Sequence, residues 1–195
     1  MIPCFNSENS IHKLIDNIFI EVDDFIEFDL AEIICVDDCS KDETKNIIKN
    51  IQNKRDKVLY LSNNKNLGQV KSTLKGIKYS TGQYIVTLDD DGQHPPSEIT
   101  KLLSFCSNNK FDFVNGYWTN DETKIRNISS IIANYLISIL IFRSPKYRIT
   151  AFRCIDSSIK NRIQKKFKYS KIMDLRKVTN NFGSIEVLHN SNPLN

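Results

Sequence analysis

Short apolar runs alternate with stretches of helical spacing along the first 117 residues. The runs are "EIICV" (32–36), "VLYL" (58–61), "YIVTL" (84–88) and "FDFVNGY" (111–117). They are continuous rather than alternating, which is typical of parallel strands covered by helices on both faces. Residues 10–22, 40–51, 67–80 and 95–106 carry the helical pattern. Strand alternating with helix predicts a single-domain α/β fold with a mostly parallel sheet flanked by helices.

Local signals refine the ends of these elements. Ser40 with Glu43 three positions later predicts a capping box at the start of the second helix. Pro95 and Pro96 stand where the first turn of the fourth helix tolerates proline. Only "MIPCF" precedes the first helical stretch. We therefore expect a short, clipped first strand, because the chain begins inside this strand or just before it.

The most apolar segment is "ISSIIANYLISILIF" (128–142), which places its large apolar side chains on one helical face. Fifteen residues are too few for a bilayer span, which needs about 20. The pattern predicts either a buried core helix or a helix lying in a membrane interface, next to the basic run that begins at Arg143. We divide the single domain into residues 1–127, which carry the alternating strands and helices, and residues 128–195, which begin with this helix.

Charge is distributed unevenly along the chain. Residues 1–142 hold 15 Lys/Arg against 20 Asp/Glu, a net −5, and residues 143–195 hold 12 against 3, a net +9. A basic end suits phosphates, a lipid headgroup surface or nucleic acid, although a solvated lysine-rich surface gives the same composition. Nucleic acid is the weakest of these partners, because aromatic residues are sparse there and no nucleic-acid motif occurs.

The cysteine pattern indicates neither a disulfide framework nor a zinc site. The five cysteines are odd in number and contain no C-x-x-C pair, and the three histidines are scattered. This usage predicts a reducing, cytoplasmic compartment, at the inner face of a membrane if the interfacial helix forms. The start "MIPCFNSENS" also lacks the basic and apolar regions of a secretory signal.

Clustered carboxylates follow two of the predicted strands. Asp89, Asp90 and Asp91 close the third apolar run, and Asp37 and Asp38 close the first. Like charges this close repel one another, so the cluster predicts a positive partner. Ligands bind at the carboxyl ends of strands in open α/β sheets, and oxygen ligands select Mg²⁺ or Mn²⁺. A cleft for a divalent cation and a diphosphate is therefore expected, the alternative being a solvated acidic turn.

Other motif readings fit poorly. "TLDDDGQHPPSE" matches a calcium loop at four positions, but threonine occupies the first position and two prolines follow. The dinucleotide pattern G-x-G-x-x-G and the P-loop pattern G-x-x-x-x-G-K-[ST] do not occur.

Four stretches, taken in order, resemble the family 2 glycosyltransferases with a GT-A fold. These stretches are "IPCFNSENSI", "EIICVDDCSKDET", "NNKNLGQVKSTLKGIKYSTGQYIVTLDDDGQHPPSEI" and "TAFRCI". The chain looks most like the branch that transfers sugars to dolichyl or undecaprenyl phosphate. Cys39 stands where relatives usually have glycine, and many relatives continue beyond the point where this sequence ends, into transmembrane helices.

The resemblance implies roles for particular residues. Asp37 would bind the base, Asp89 would lie near the ribose, and Asp91 with Gln93 would hold the metal, Mg²⁺ or Mn²⁺. Asp174 would be the carboxylate beside the acceptor. The residues implied to line the nucleotide-sugar pocket are Pro3, Phe5, Glu8, Asp37, Asp89, Arg126 and Arg153. The two arginines would contact phosphate groups. By the same resemblance, residues 1–127 would form the nucleotide-sugar-binding core, and residues 128–195 would supply the amphipathic helix and the acceptor-side segment.

The function implied is transfer of a sugar from a nucleotide-sugar donor to a polyprenyl-phosphate or related cell-envelope acceptor, with peripheral membrane contact. Two alternatives stay open. The acceptor could be a saccharide hydroxyl in polysaccharide synthesis, or the chain could bind nucleotide-sugars without catalysis.

Overall fold

The structure is a computed structural model that describes residues 1–23, 25–119, 147–168 and 173–190. The helix expected at 128–142 lies outside these ranges, and so does Arg126, which the resemblance implies as a phosphate contact. Among the described residues, no helix has both the length and the apolar content that a membrane crossing requires.

Seven strands lie within the described ranges. They are β1 (Ile2–Cys4), β2 (Ile33–Asp37), β3 (Val58–Ser62), β4 (Tyr84–Thr87), β5 (Phe113–Thr119), β6 (Tyr147–Asp156) and β7 (Phe182–Glu186). One group has the order β1-β2-β3 with parallel pairing. The other has the order β4-β6-β5-β7, in which β6 runs antiparallel to β4 and β5, and β7 runs parallel to β5.

Residue 1 joins the two groups into one sheet. The Met1 amine donates to the Val86 carbonyl at 2.7 Å, and the Leu88 N–H donates to the Met1 carbonyl at 3.2 Å. This is the bonding pattern of parallel neighbours. The strand order across the sheet is therefore β3-β2-β1-β4-β6-β5-β7. All strands but β6 run in one direction, so the predicted mostly parallel α/β sheet is confirmed.

Helices cover both faces of this sheet. They are α1 (Ile11–Asp23), α2 (Thr44–Gln52), α3 (Gln69–Tyr79), α4 (Glu98–Asn108) and α5 (Lys160–Phe167), with short 3-10 turns at Ser157–Ile159 and Leu175–Lys177. Side chains of α1, α2 and α4 share one apolar core with Phe152 and Cys154 of β6. Side chains of α3 and α5 share a second core on the opposite face with Phe113 and Ile155. Alternate residues of one strand thus feed two separate cores, as the pleat of a strand requires.

The four predicted strands and four predicted helices are present, with ends shifted by a few residues. The predicted capping box is wrong, because α2 begins at Thr44 and Glu43 occupies the N-cap position. The Ser40 hydroxyl instead accepts a hydrogen bond from the Asn6 N–H at 3.0 Å. Ser40 therefore connects the loop after β1 to the loop after β2, and does not start the helix.

Candidate active site

A cleft opens at the carboxyl ends of β1 and β4. It has a volume of about 300 Å³, and a second cavity of about 200 Å³ shares Pro3, Gln69 and Asp89 with it. The first cavity is lined by Pro3, Cys4, Phe5, Asp38, Asn66, Gly68, Gln69, Ser72, Asp89, Asp90 and Asp91. The second adds Val70, Thr73, Thr87, Leu88, Ala151, Arg153 and Met173. The predicted acidic cluster therefore lies in a concave site at the predicted edge of the sheet.

Asp38 anchors the loop that forms one wall of the cleft. Its Oδ1 accepts from Asn63 Nδ2 and from the Leu67 N–H, both at 2.8 Å, and its Oδ2 accepts from the Gly68 N–H at 2.7 Å. Asp38 is only 4% exposed. Gly68 has φ of 85°, a left-handed conformation that glycine adopts without steric cost. The buried carboxylate therefore fixes this turn at the start of α3.

Asp90 fixes the loop after β1 through hydrogen bonds, as Asp38 fixes the loop before α3. Its Oδ2 accepts from the Phe5 N–H at 3.0 Å and from the Ser7 hydroxyl, and its main-chain carbonyl accepts from Ser10 Oγ at 2.7 Å. Of the three adjacent aspartates, the middle one is thus used to fix the loop after β1. Asp89 and Asp91 are left to face the cavity.

Asp89 carries the clearest electrostatic signal in the cleft. Burial, followed by the negative charges of Asp91 and Asp90, raises the pKa of the Asp89 carboxyl to about 6. One hydrogen bond opposes this, because Gln69 Nε2 donates to Asp89 Oδ1 at 2.5 Å. The predicted repulsion between neighbouring carboxylates is therefore present, and a cation in the cleft would relieve it.

Asp91, which lines the first cavity, and Gln93, two residues later, are the predicted metal-binding residues. Asp91 Oδ1 accepts from the Gln93 N–H at 3.0 Å, and Gln93 Oε1 lies 3.4 Å from His189 Nε2. Among the described residues, no three His, Cys, Asp or Glu side chains converge on one point. This donor set fits Mg²⁺ or Mn²⁺ bound through one or two protein groups, because such ions keep water and take substrate phosphates as further ligands.

Arg153 brings positive charge to the same cavity. It stands on β6 directly opposite Thr87, two residues before Asp89. Burial lowers the pKa of the Arg153 guanidinium, and the negative charges of Asp89 and Asp174 act in the opposite direction. The structure therefore brings together three predicted site residues that are far apart in sequence: Asp89, Arg153 and Asp174.

Asp174 is held by a neighbouring arginine. Arg176 Nε donates to Asp174 Oδ1 at 2.7 Å and Arg176 Nη2 donates to Oδ2 at 2.5 Å, a bidentate pair. The hydrogen bonds from Arg176 lower the pKa of the Asp174 carboxyl below its ordinary value. Asp174 is therefore a fixed, weakly basic carboxylate.

Two other predicted residues have their carboxylates occupied. Asp37 is 3% exposed, its Oδ1 accepts from the Ser40 N–H and its Oδ2 from the Tyr60 hydroxyl, both at 2.9 Å. Glu8 accepts from the Glu43 N–H at 2.9 Å, which ties the loop after β1 to the start of α2. Neither residue is part of the cavity walls described above, whereas the predicted Pro3 and Phe5 are.

Sequence reasoning did not single out His94 and Gln69. Gln69 lies in the stretch "NLGQVKST", which entered the resemblance without a role for any of its residues. His94 is 2% exposed and sits under the Asp89–Gly92 turn, where its ring stacks on Phe152 at a centroid distance of 5.3 Å. The apolar partner of that ring comes from β6, and nothing near His94 in the sequence indicates it.

Comparison with known proteins gives a family match. The sequence profile described as Glycosyl transferase family 2 matches residues 1–174. A UDP-N-acetylglucosamine–dolichyl-phosphate N-acetylglucosaminyltransferase from Methanococcus voltae is 29% identical over 167 residues, which cover 77% of this chain and 64% of that protein. An undecaprenyl-phosphate 4-deoxy-4-formamido-L-arabinose transferase from Shewanella sediminis is 28% identical over 159 residues, which cover 80% of this chain and 45% of that protein. The chain thus spans less than two thirds of either relative.

A solved structure gives the fold. The crystal structure of glucosyl-3-phosphoglycerate synthase from Mycobacterium tuberculosis, in complex with Mn²⁺, uridine diphosphate and phosphoglyceric acid, matches with a TM-score of 0.63. The match covers 97% of this chain and 68% of that one, at 14% sequence identity. At this identity the likeness shows a shared fold.

Proposed function

Because this chain belongs to glycosyl transferase family 2 and has the GT-A fold, we propose that it transfers a sugar from a nucleotide-sugar donor to a polyprenyl-phosphate acceptor. The observation that carries the proposal is the position of Arg153 within one cavity with Asp89, and within electrostatic reach of Asp174. A cation beside carboxylates at the carboxyl ends of strands suits a diphosphate and the sugar attached to it. The relatives named above, which act on dolichyl and undecaprenyl phosphate, support the choice of acceptor.

In this proposal the donor lies along the cleft. The base and ribose lie on the side of Pro3 and Phe5, near Asp37 and Asp89, and the diphosphate lies toward Arg153. A planar guanidinium donates two parallel hydrogen bonds to phosphate oxygens, which an ammonium cannot do. Arg126, outside the described residues, is proposed as a second phosphate contact.

Asp91 and Gln93 are the residues proposed to hold Mg²⁺ or Mn²⁺ at the mouth of the cleft. When bound, the ion would stabilise negative charge that develops on the leaving diphosphate. Asp89, with its pKa of about 6, is the nearby carboxylate whose ionisation such a charge favours.

Transfer forms a bond between an acceptor oxygen and C1 of the sugar, and breaks the bond from C1 to the nucleoside diphosphate. Arg153 would stabilise the departing diphosphate. A phosphate acceptor is already ionised at neutral pH and needs no strong base, whereas a hydroxyl acceptor does. The lowered pKa of Asp174 makes it a poor general base, which suits a phosphate acceptor. Its proposed role is to position Arg176, whose guanidinium can face that anion. The reaction would take place at the cytoplasmic face of a membrane.

The test is a screen of nucleotide-sugars with Mn²⁺ and two acceptors of equal chain length, a short polyprenyl phosphate and the corresponding polyprenol. We expect product on the phosphate and none on the alcohol. Arg153→Lys keeps the charge and loses the bidentate geometry, so its turnover should fall by about tenfold or more. Arg55→Lys, distant from the cleft, is the matched control.

Two other results would favour the alternative functions. Product on a saccharide hydroxyl, and none on polyprenyl phosphate, would make this a polysaccharide-building transferase. Donor binding by calorimetry without product on any acceptor would make it a non-catalytic nucleotide-sugar binder.

A further inference from the structure

Another concave surface, separate from the two cavities of the candidate active site, lies on α5 and on the 3-10 turn that follows it in the described chain. It has a volume of about 390 Å³ and is lined by Arg162, Lys165, Lys166, Lys177 and Val178. We call this surface the basic depression. Four of its five lining residues are cations, and none of the residues proposed for sugar transfer belongs to it.

The anchoring of α5 explains why these cations face solvent. Ile163 and Phe167 are buried in the core shared with α3. Gln164 Nε2 donates to the Leu74 carbonyl at 2.6 Å, and Lys160 Nζ donates to the Ser80 carbonyl at 2.5 Å. One face of the helix is thus bonded to α3, which leaves Lys165 and Lys166 exposed on the other.

The positive charge of the depression is only partly balanced. Arg162 pairs with Asp112, Nη2 to Oδ2, at 3.4 Å. No carboxylate of the described residues lies within ion-pair distance of Lys165, Lys166 or Lys177. Lys165, Lys166 and Lys177 therefore line one surface without an ion pair to any described carboxylate, although the charge of Lys177 reaches Asp174 at longer range. An anionic surface would relieve the repulsion among these lysines.

We propose that the basic depression docks the protein on a bilayer that contains anionic lipids. Three exposed lysines around a shallow concavity match the diffuse negative potential of such a surface. Nucleic acid fits less well, because the one aromatic side chain of α5, Phe167, is buried and cannot stack on a base.

The depression also lies on the side of the molecule where a lipid acceptor would arrive. Lys177 lies in the 3-10 turn that Asp174 caps, and its N–H donates to the Asp174 main-chain carbonyl at 3.1 Å. Docking here would therefore bring Asp174 to the membrane surface. This last step rests on the proposed function, whereas docking itself does not.

The test is sedimentation of the full chain with vesicles of phosphatidylcholine, alone or mixed with phosphatidylglycerol. The Lys165→Gln, Lys166→Gln double variant should bind the anionic vesicles roughly tenfold to thirtyfold more weakly than the unaltered chain, since each lysine near such a surface contributes on the order of 1 kcal/mol. The matched control is Lys45→Gln, Lys54→Gln, which removes the same charge from exposed positions in and just after α2. It should lose at most about threefold, and salt should weaken binding of every form.

Equal losses in the two double variants, or no loss in the first, would overturn the proposal. So would a shift of a 20-base-pair DNA duplex by the unaltered chain, at lower protein concentration than vesicle binding needs, that the first double variant abolishes. Turnover with a water-soluble short polyprenyl phosphate should be equal in the two variants. Failure of the proposed function would appear in that turnover, and failure of docking would appear in the sedimentation.

Discussion

His94 and Asp89 are joined beneath the cleft: the Asp89 N–H donates to His94 Nδ1 across 3.3 Å. Because Nδ1 accepts this bond, the ring is neutral and carries its proton on Nε2. Burial lowers the pKa of His94 to about 4, which agrees with a neutral ring at neutral pH. The main chain of the acidic turn is therefore held by a buried, uncharged imidazole.

Two substitutions of His94 should distinguish the contribution of its hydrogen bond to stability from that of its packing. His94→Leu leaves the Asp89 N–H without an acceptor, at a cost of about 1–3 kcal/mol in the free energy of unfolding. His94→Asn keeps an acceptor near the position of Nδ1 and should recover part of that loss. Urea unfolding measures both, and calorimetry with a nucleoside diphosphate should rank affinity in the same order. Equal stability of the Leu and Asn variants would show that the hydrogen bond contributes nothing.

Asp38 should matter more for stability than any exposed aspartate. Asp38→Ala leaves three donors without their partner, among them the N–H groups of Leu67 and Gly68, and should lower the free energy of unfolding by about 2–4 kcal/mol. Asp56→Ala, at an exposed position, should stay within about 0.5 kcal/mol of the unaltered chain. Denaturant titration of the two variants compares them directly. Similar values would mean that the loop is held by other contacts.

The Asp174 carboxylate should make the stability of the folded protein depend on pH in the acidic range. Its folded pKa is lowered by the hydrogen bonds from Arg176, so its stabilising contribution is complete above the ordinary pKa of 3.8 and is lost as pH falls through the folded value. At pH 6, Asp174→Asn should be less stable than the unaltered chain by about 1 kcal/mol, and the difference should shrink below about pH 4. Thermal unfolding across this range is the measurement. A difference that is constant with pH would exclude the ion pair as its cause.

Cys39 stores backbone strain beside the cleft. Its φ is 68°, in the left-handed region that non-glycine residues rarely adopt. Cys39→Gly should raise the free energy of unfolding by about 1 kcal/mol, because glycine adopts this conformation without steric cost. Cys39→Ala, which removes the thiol and keeps the strain, should leave it nearly unchanged. Stabilisation by alanine equal to that by glycine would assign the effect to the thiol.

Hydrophobic pattern predicts the strands that are buried on both faces and the helices between them. It misses β6, since "YRITAFRCID" interrupts its apolar residues with three charges. One of these, Arg153, belongs to the candidate site rather than to the core. It misses β7, since "FGSIE" is short, contains a glycine and is only partly buried. Strands that carry site residues or lie at a sheet edge lack the continuous apolar run on which the prediction depends.

The location of the site was predictable because carboxyl ends of parallel strands share one edge. The sequence did not predict which of these carboxylates hold loops and which face the cavity. Asp37 and Asp38, like Asp89 and Asp90, are adjacent in sequence, and only the tertiary structure determines which partners each meets. Asp38 and Asp90 bind loop N–H groups that come from other parts of the chain, whereas Asp89 meets Gln69 and lies beside Arg153. Hydrogen bonds between distant segments leave no local pattern.

The position of β6 has a consequence for how the chain folds. β4 and β5 are separated in the sheet by a strand that is synthesised after both of them, so neither can complete its pairing until residues 147–156 arrive. A nascent chain that ends before this strand exposes unpaired edges of β4 and β5, which invite association with other chains. Pairing across such sequence distances is slow, because distant parts of the chain must first be brought together. Truncation before residue 147 should therefore yield an aggregating chain and not a smaller folded domain.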